Sequence, residues 1–361
     1  MVWTYANPVR VEFGPGALSR IAARIGGRRW ALVTYDLPAF KAKAAEIAAT
    51  AGKPIVTIDN IVANPDFADL VGSCRQYAEA DPAPEVIVAL GGGSIIDAAK
   101  VLAASDGSFD TVRDHLTTKT PLDARCITPI IAVPSTAGTG SEVTSWATVW
   151  DSANGQKYSL ANAALYPKAA IVDPALALSA PRALTLATGL DALSHALESI
   201  WNVSANPVSA TFAVEAAREV IAVLPALMQD LTSLDLRARQ ARAALFAGLA
   251  FSNTRTALAH NISYDITLKQ GTPHGIACSF CLADVMQWSI GCDLVCDSNL
   301  RKIFGEDLRA SVTLRSFIES LGVATQPSAY GLNDNEWRML IERAMAGERG
   351  RNFIGRADLA A

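Results

Sequence analysis

Residues 85–100 read EVIVALGGGSIIDAAK, and their reading decides the fold. EVIVAL is a short, nearly all-apolar run rich in β-branched residues, as expected of a strand buried on both faces of a parallel sheet. IIDAAKVLAAS continues as a helix, and the turn between them is Gly91-Gly92-Gly93-Ser94. Glycines let the backbone come close to a ligand, and the free N–H groups at the helix start can hold a pyrophosphate. Working outward, RRWALVTY (28–35), PIVTIDN (54–60), ITPIIAVPS (127–135) and AAIVDP (169–174) read as further buried strands. AFKAKAAEIAATAG and FADLVGSCRQYAEA read as helices between strands, so the first half is α/β with a parallel sheet.

From about Pro181 the strand signals vanish, and Ala/Leu-rich stretches such as ATFAVEAAREVIAVLPALM, ARQARAALFAGLAF and ADVMQWSI take over with helical periodicity. The expected division is an α/β dinucleotide-binding domain over 1–180 and an all-helical metal-binding catalytic domain over 181–361. No linker or repeat interrupts the chain, so the halves are expected to pack closely with a ligand cleft between them.

One Gly-rich turn is weak evidence for a nucleotide, but a second loop, Pro134-Ser-Thr-Ala-Gly-Thr-Gly-Ser-Glu142, follows another strand and adds hydroxyls to bare amides. The pair points to a dinucleotide held in a variant way, since no G-x-G-x-x-G opens the first β-turn-α unit. Asp36, at the end of ALVTY, stands where an acid could bond the ribose hydroxyls of NAD; NADP remains the alternative.

Asp191 and His195 lie four apart in LATGLDALSHALESIW, so on a helix they project from one face and can share an ion. His260 ends the apolar stretch ARAALFAGLAFSNTRTALAH, and His274 sits in a Thr-Pro-His-Gly turn that can bring back another imidazole. One carboxylate and three imidazoles suit Fe²⁺ or Zn²⁺ better than Ca²⁺ or Mg²⁺, and no thiolate is required. Singly, each His reads as a packed core residue; together, in a chain with 4 His, they read as a metal site.

The net charge of −4 and pI near 5.6 give no basic face for nucleic acid or anionic membrane. No apolar run nears the ~20 residues of a membrane span, and the start lacks a signal peptide's pattern, so a cytoplasmic enzyme with a small-molecule substrate is expected. Cys278-x-x-Cys281 and Cys292-x-x-x-Cys296 loosely match a zinc clip, but their apolar surroundings favour buried reduced thiols.

GGGSIIDAAK, PSTAGTGSEVT, IVDP with Asp173, the Asp191/His195 pair and the His260…His274 pair resemble, in order and spacing, the iron-containing (group III) alcohol dehydrogenases. The resemblance runs from VEFGPGAL to GRNFIG. It implies a dinucleotide-binding α/β domain, a helical domain of the kind shared with dehydroquinate synthase, and a homodimer. By position it implies Asp191, His195, His260 and His274 as ligands of Fe²⁺, with Zn²⁺ the other choice. Gly92, Gly93, Ser94, Thr136 and Thr139 would hold NAD(H) or NADP(H), with Asp97 and Lys157 near that pocket. Lys157 and Tyr264 are the expected catalytic side chains, Tyr264 standing where family members often carry a proton-relaying histidine.

A metal polarising a carbonyl beside a nicotinamide gives aldehyde reduction to a primary alcohol, or the reverse. Arg255 and Lys269 stand where the family often has small or apolar residues, and two cations favour an anionic substrate. The opposing reading keeps Lys269 solvated and pairs Arg255 with an acid such as Asp265. Trp201 and Asn202 after the ligand helix make the stretch similar to the phosphonate-metabolism branch, the phosphonoacetaldehyde reductases. The expected reaction is therefore phosphonoacetaldehyde to 2-hydroxyethylphosphonate, with Arg255, Lys269, Trp146 and Asn202 against the substrate. The alternatives are another small neutral or anionic aldehyde, a dehydroquinate synthase-like lyase or cyclase, and a nucleotide-binding protein without turnover.

Overall fold

The structure is a computed structural model and describes residues 2–306 and 309–355. It divides into two compact units. The α/β unit comprises residues 8–136 and 141–179. Along the chain it contains β1 (Arg10–Phe13), α1 (Ile21–Ile25), β2 (Trp30–Val33), α2 (Pro38–Ala51), β3 (Val56–Ile58), α3 (Phe67–Ala78), β4 (Val86–Gly91), α4 (Gly93–Ala104), α5 (Phe109–Thr118), β5 (Ile130–Pro134), β6 (Trp146–Asp151), β7 (Gln156–Ala161) and β8 (Ala169–Val172).

Six of these strands form a parallel sheet in the order β1-β8-β5-β4-β2-β3. Every residue of β2, β4, β5 and β8 is buried, which is why these strands carry uninterrupted apolar runs. The chain leaves β2 outward to β3 and then returns to the other side of β2 as β4. The order thus reverses between β2 and β4, and open α/β sheets bind ligands beyond the strand C-termini at such a switch. β1 was not foreseen because, at the edge and half-exposed, it has no continuous apolar run. The antiparallel β6–β7 hairpin was also missed, its two runs being separated by the polar Ser152-Ala-Asn154 turn.

Lys100 of α4 ties that hairpin down. It is fully buried, and Nζ donates to the Ser141 carbonyl at 2.8 Å, Ser141 Oγ and Thr144 Oγ1 at 3.1 Å each, and the Trp146 carbonyl at 2.7 Å. Burial still drives the ammonium down to about 8, the Asp97 and Glu142 carboxylates opposing it.

The helical unit has as its described residues 2–7, 137–140, 180–306 and 309–355. Two of these segments lie in the half that the sequence assigns to the α/β domain. The first is pinned to the helices by the Tyr5 hydroxyl donating to the Leu249 carbonyl at 3.1 Å and by Ala6 N–H donating to Asn253 Oδ1 at 3.0 Å. The second depends on glycine: a Cβ on Gly138 would lie 2.6 Å from Thr188 Cβ, and one on Gly140 2.5 Å from Gly248 Cα. The loop glycines, read in the sequence as phosphate-compatible, therefore also serve close packing on helices.

The helices are α6 (Arg182–Ile200), α7 (Pro207–Leu227), α8 (Leu234–Thr254), α9 (Leu258–Gln270), α10 (His274–Ser279), α11 (Leu282–Ser289), α12 (Leu294–Phe304), α13 (Ala310–Ser320) and α14 (Asp334–Ala346). α6 packs against α7, α8 and α10, and it is buried at every residue from Gly189 to Ile200. The stretch read as one helix ending at His260 is in fact two. Arg255 adopts a left-handed φ of 64°, α8 stops at Thr254, and His260 falls in the first turn of α9. An L-residue there costs about 1–3 kcal/mol. The break is held by the Arg255 carbonyl, which accepts from Asn202 Nδ2 at 3.2 Å and Thr254 Oγ1 at 3.0 Å.

Candidate metal centre and nucleotide loops

On the buried helix α6, Asp191, His195 and Glu198 are spaced i, i+4 and i+7 and so share a face. A carboxylate or imidazole in such a place must find partners, because an unpaired buried charge costs several kcal/mol. Glu198 finds four. Its oxygens accept Ala257 N–H at 2.9 Å, Ala259 N–H at 2.6 Å and His260 N–H at 3.2 Å, and Oε2 lies 2.6 Å from His260 Nδ1. Burial pushes its pKa up, but His260 and the backbone donors outweigh that and hold it below the usual range.

His260 is thereby turned so that Nε2 faces His195 Nε2 at 3.0 Å and Asp191 Oδ1 at 3.6 Å. His195 is sandwiched on its other side by Phe251, the ring centroids 4.1 Å apart and the planes 5° from parallel. His274 opens α10 directly after Pro273 and meets His260 edge-on, centroids 5.4 Å apart. It gets there because Gly275 lets α10 lie on α6: a Cβ at Gly275 would sit 1.9 Å from the Ala187 carbonyl oxygen.

Donor atoms of Asp191, His260, His274 and Cys278 all lie within 4.8 Å of one another. His195 completes the expected ligands from its place against Asp191 (3.9 Å) and His260. The arrangement fits a cation. Asp191 Oδ1 is buried with no hydrogen bond, its imidazole neighbours standing beyond that length, and two ring nitrogens face each other across 3.0 Å. Burial lowers the His195 pKa to about 4, Asp191 opposing, which keeps that ring in its neutral, ligating form. Burial would raise Asp191, but the three histidines reverse it and hold the carboxylate well below its usual range. Sequence reasoning missed Glu198 and Cys278, although an acid at i+7 of a ligand helix is a visible signal.

In the α/β unit, Gly92 caps the start of α4 at the end of β4, and its backbone lies beside Thr136 at the end of β5. A Cβ there would meet Thr136 Oγ1 at 3.3 Å and the Tyr35 hydroxyl at 3.6 Å. Tyr35, just after β2, hydrogen-bonds Ser94, and burial raises its phenol. Gly92, Gly93, Ser94 and Thr136 thus converge at the ends of adjacent strands β2, β4 and β5, at the switch point. Thr139 belongs to the helical unit. Asp97 is a staple within the domain, accepting from Ser141 Oγ and, at 2.8 Å, from Thr148 N–H. Lys157 places Nζ over the Trp150 ring, 5.1 Å from its centre. Asp36 is exposed and pairs with Lys41.

Of the expected substrate residues, Arg255, Lys269 and Asn202 belong to the helical unit and Trp146 to the α/β unit. Arg255, 54% exposed, pairs with Glu348 at 3.3 Å, and Lys269, 66% exposed, with Asp265 at 3.2 Å; Asp265 also pairs with Arg343. These are solvated ion pairs, and the acid partner of Arg255 is Glu348 rather than Asp265. Trp146 begins β6 in the α/β unit, and Asn202 is buried and bonded to Ser204 N–H as well as the Arg255 carbonyl. The cation that sequence reasoning overlooked is Arg349. It donates to Thr256 Oγ1 at 2.8 Å and shares a hydrogen bond with Tyr264, four residues after His260. Burial disfavours its charge, but Tyr264, Glu348 and Glu198 more than offset this and raise it. Of the four cysteines read as buried, Cys292 is exposed, whereas Cys278, Cys281 and Cys296 are buried; no disulfide forms among the described residues.

Phosphate-compatible loops at a parallel-sheet switch point, with a carboxylate–imidazole metal site in a helical unit, define a metal-dependent nicotinamide oxidoreductase. The comparisons agree. The profile of the iron-containing alcohol dehydrogenases matches residues 8–174, and that of the family's C-terminal region matches 185–354. An NAD-dependent methanol dehydrogenase of Bacillus methanolicus is 30% identical over 273 residues, 72% of this chain and 70% of that protein. A 1,3-propanediol dehydrogenase of Klebsiella pneumoniae is 29% identical over 338 residues, 91% and 86% of the two chains. The crystal structure of a sulfoacetaldehyde reductase from Bifidobacterium kashiwanohense in complex with NAD⁺ superposes with a TM-score of 0.90 at 28% identity, covering 98% of this chain and 94% of that one. The chain belongs to the iron-containing alcohol dehydrogenase family, and its activity is alcohol and aldehyde oxidoreduction with iron and a nicotinamide dinucleotide. Among the described residues no helix is long and apolar enough to cross a membrane.

Proposed function

We propose that this chain reduces a short aldehyde bearing a tetrahedral oxyanion, phosphonoacetaldehyde to 2-hydroxyethylphosphonate in the first instance, using NADH. The observation that carries the reading is Arg349, a cation with Thr256 on one side and Tyr264, on the metal-ligand helix, on the other. A guanidinium has five donors, so these two contacts leave some for an oxyanion. The likeness to a sulfoacetaldehyde reductase supports the same chemistry, since sulfonate and phosphonate share that geometry. The anion-binding role is thus proposed for Arg349 in place of the solvated Arg255 and Lys269.

When bound, a divalent ion supplies Lewis-acid polarisation of a carbonyl oxygen, and a nicotinamide supplies the hydride. Asp191, His195, His260 and His274 hold the ion, and Glu198 keeps the His260 ring turned toward it. Gly92, Gly93, Ser94 and Thr136 hold the dinucleotide phosphates, with Lys157 near their pocket. Tyr264 places its hydroxyl on the face of α9 that carries His260, hydrogen-bonded to Arg349. A cytoplasmic homodimer is the proposed form.

A second reading, a neutral short aldehyde, is favoured by the methanol and 1,3-propanediol dehydrogenases among the relatives. NADH and NADPH oxidation by the anaerobically Fe²⁺-loaded protein on phosphonoacetaldehyde, sulfoacetaldehyde and propionaldehyde separates the two. Preference for the anionic pair by about tenfold or more in kcat/KM is expected, or about 1.4 kcal/mol. Equal efficiency on propionaldehyde would overturn the anionic reading and leave the dehydrogenase intact.

A further inference from the structure

The sulfur of Cys278 stands inside the donor cluster, in a family site described so far by one carboxylate and three imidazoles. Cys278 is fully buried, four residues after His274 on α10, so the two project from the same face. The centre is then built from two i, i+4 pairs, Asp191 with His195 on α6 and His274 with Cys278 on α10, joined by His260 from α9. Sγ lies 3.5 Å from His274 Nε2 and 3.7 Å from its Nδ1, and the chosen donor atoms of Asp191, His260, His274 and Cys278 all fall within 4.8 Å of one another.

A single ion would draw these donors together by small side-chain turns, since Sγ stands almost equally far from both ring nitrogens of His274. Metal–sulfur and metal–nitrogen bonds of about 2.3 and about 2.0–2.1 Å, set at a tetrahedral angle, put sulfur and nitrogen ~3.5 Å apart. The independent sign of a ligand is Asp191 Oδ1, 3% exposed as a residue, aimed into the same space and without a hydrogen bond. A buried carboxylate oxygen is not left so unless something positive meets it.

We propose that Cys278 is a metal ligand in this chain, making the donor set a mixed carboxylate, imidazole and thiolate one. The sulfur–metal bond forms as the thiol gives its proton to solvent, and no electron is transferred. A thiolate favours softer ions, so the site should prefer Zn²⁺ over Fe²⁺ more strongly than its oxygen and nitrogen donors alone would.

The test uses the full chain stripped with a chelator and reloaded with Co²⁺ alone. Bound stoichiometrically, Co²⁺ is expected to show a sulfur-to-metal charge-transfer absorption in the near ultraviolet that is lost in Cys278→Ser. X-ray absorption of the Zn²⁺-loaded unsubstituted protein, which depends on no variant folding, should find one sulfur at about 2.3 Å. In competition between Zn²⁺ and Fe²⁺, read as metal content by mass spectrometry, Cys278→Ser should lower the Zn:Fe ratio by about tenfold or more. A Co²⁺ protein with no charge-transfer band, a zinc shell of nitrogen and oxygen only, or an unchanged Zn:Fe ratio overturns the proposal.

Discussion

Glu198 Oε2 lies 2.6 Å from His260 Nδ1, and the same carboxylate receives three backbone N–H groups at the start of α9. One buried acid therefore caps the helix that carries His260 and turns that ring's Nε2 toward His195 and Asp191, where it would meet an ion.

The two roles separate by substitution. Glu198→Gln keeps shape but loses charge, and metal affinity should fall about 10–100-fold in chelator competition with the fold retained. Glu198→Leu also strands the three N–H groups at about 1–3 kcal/mol each, so it should lower the melting temperature as well. A Gln variant that holds its metal as tightly as the parent would leave Glu198 a helix cap alone.

Gly275 makes a sharper case, because its lack of a side chain is what lets α10 touch α6. In Gly275→Ala the new Cβ lies 1.9 Å from the Ala187 oxygen and 3.0 Å from Asp191 Cβ, so α10 must move and take His274 with it. Bound metal should drop well below one per chain while the α/β unit stays folded. Gly271→Ala is the control: it has open space but a φ of 65°, and should cost about 1–2 kcal/mol of stability without loss of metal. Equal metal loss in both would mean that the turn before His274 matters and the helix contact does not.

These contacts mark where the sequence was legible. The strands β2, β4, β5 and β8 could be read because two-sided burial writes an unbroken apolar run, whereas edge strand β1 and the hairpin β6–β7 leave no such trace. The closeness of Asp191 and His195 could be read because helical spacing is local. Glu198, Gly275 and Arg349 act through contacts with residues 62, 88 and 93 positions away, and no short-range period encodes those. The run to His260 was misread as one helix because nothing in SNTRTALAH, which has no Gly or Pro, announces a left-handed Arg255.

The nucleotide loop is testable on its own. In Gly92→Val a branched side chain would crowd Thr136 Oγ1, 3.3 Å from the Cβ position, and cover backbone at the start of α4. NADH affinity in a fluorescence titration should weaken by about tenfold or more, equivalent to about 1.4 kcal/mol, with metal content unchanged. Undiminished affinity would reduce the glycine loop to a tight turn.

The substrate class rests on which arginine matters. Arg349→Leu should remove about 2–4 kcal/mol of transition-state stabilisation on phosphonoacetaldehyde, roughly thirtyfold to a thousandfold in kcat/KM, because a charge-assisted contact is lost where water is scarce. Arg255→Leu should cost about 0–1 kcal/mol or less, since its pair with Glu348 is solvated. Propionaldehyde supplies the internal control: damage to the fold or the metal would depress both substrates together, and loss of an anion contact depresses only the charged one. Equal losses on the two aldehydes in Arg349→Leu would remove the oxyanion from the proposed substrate, and a larger loss in Arg255→Leu would return the role to the exposed arginine.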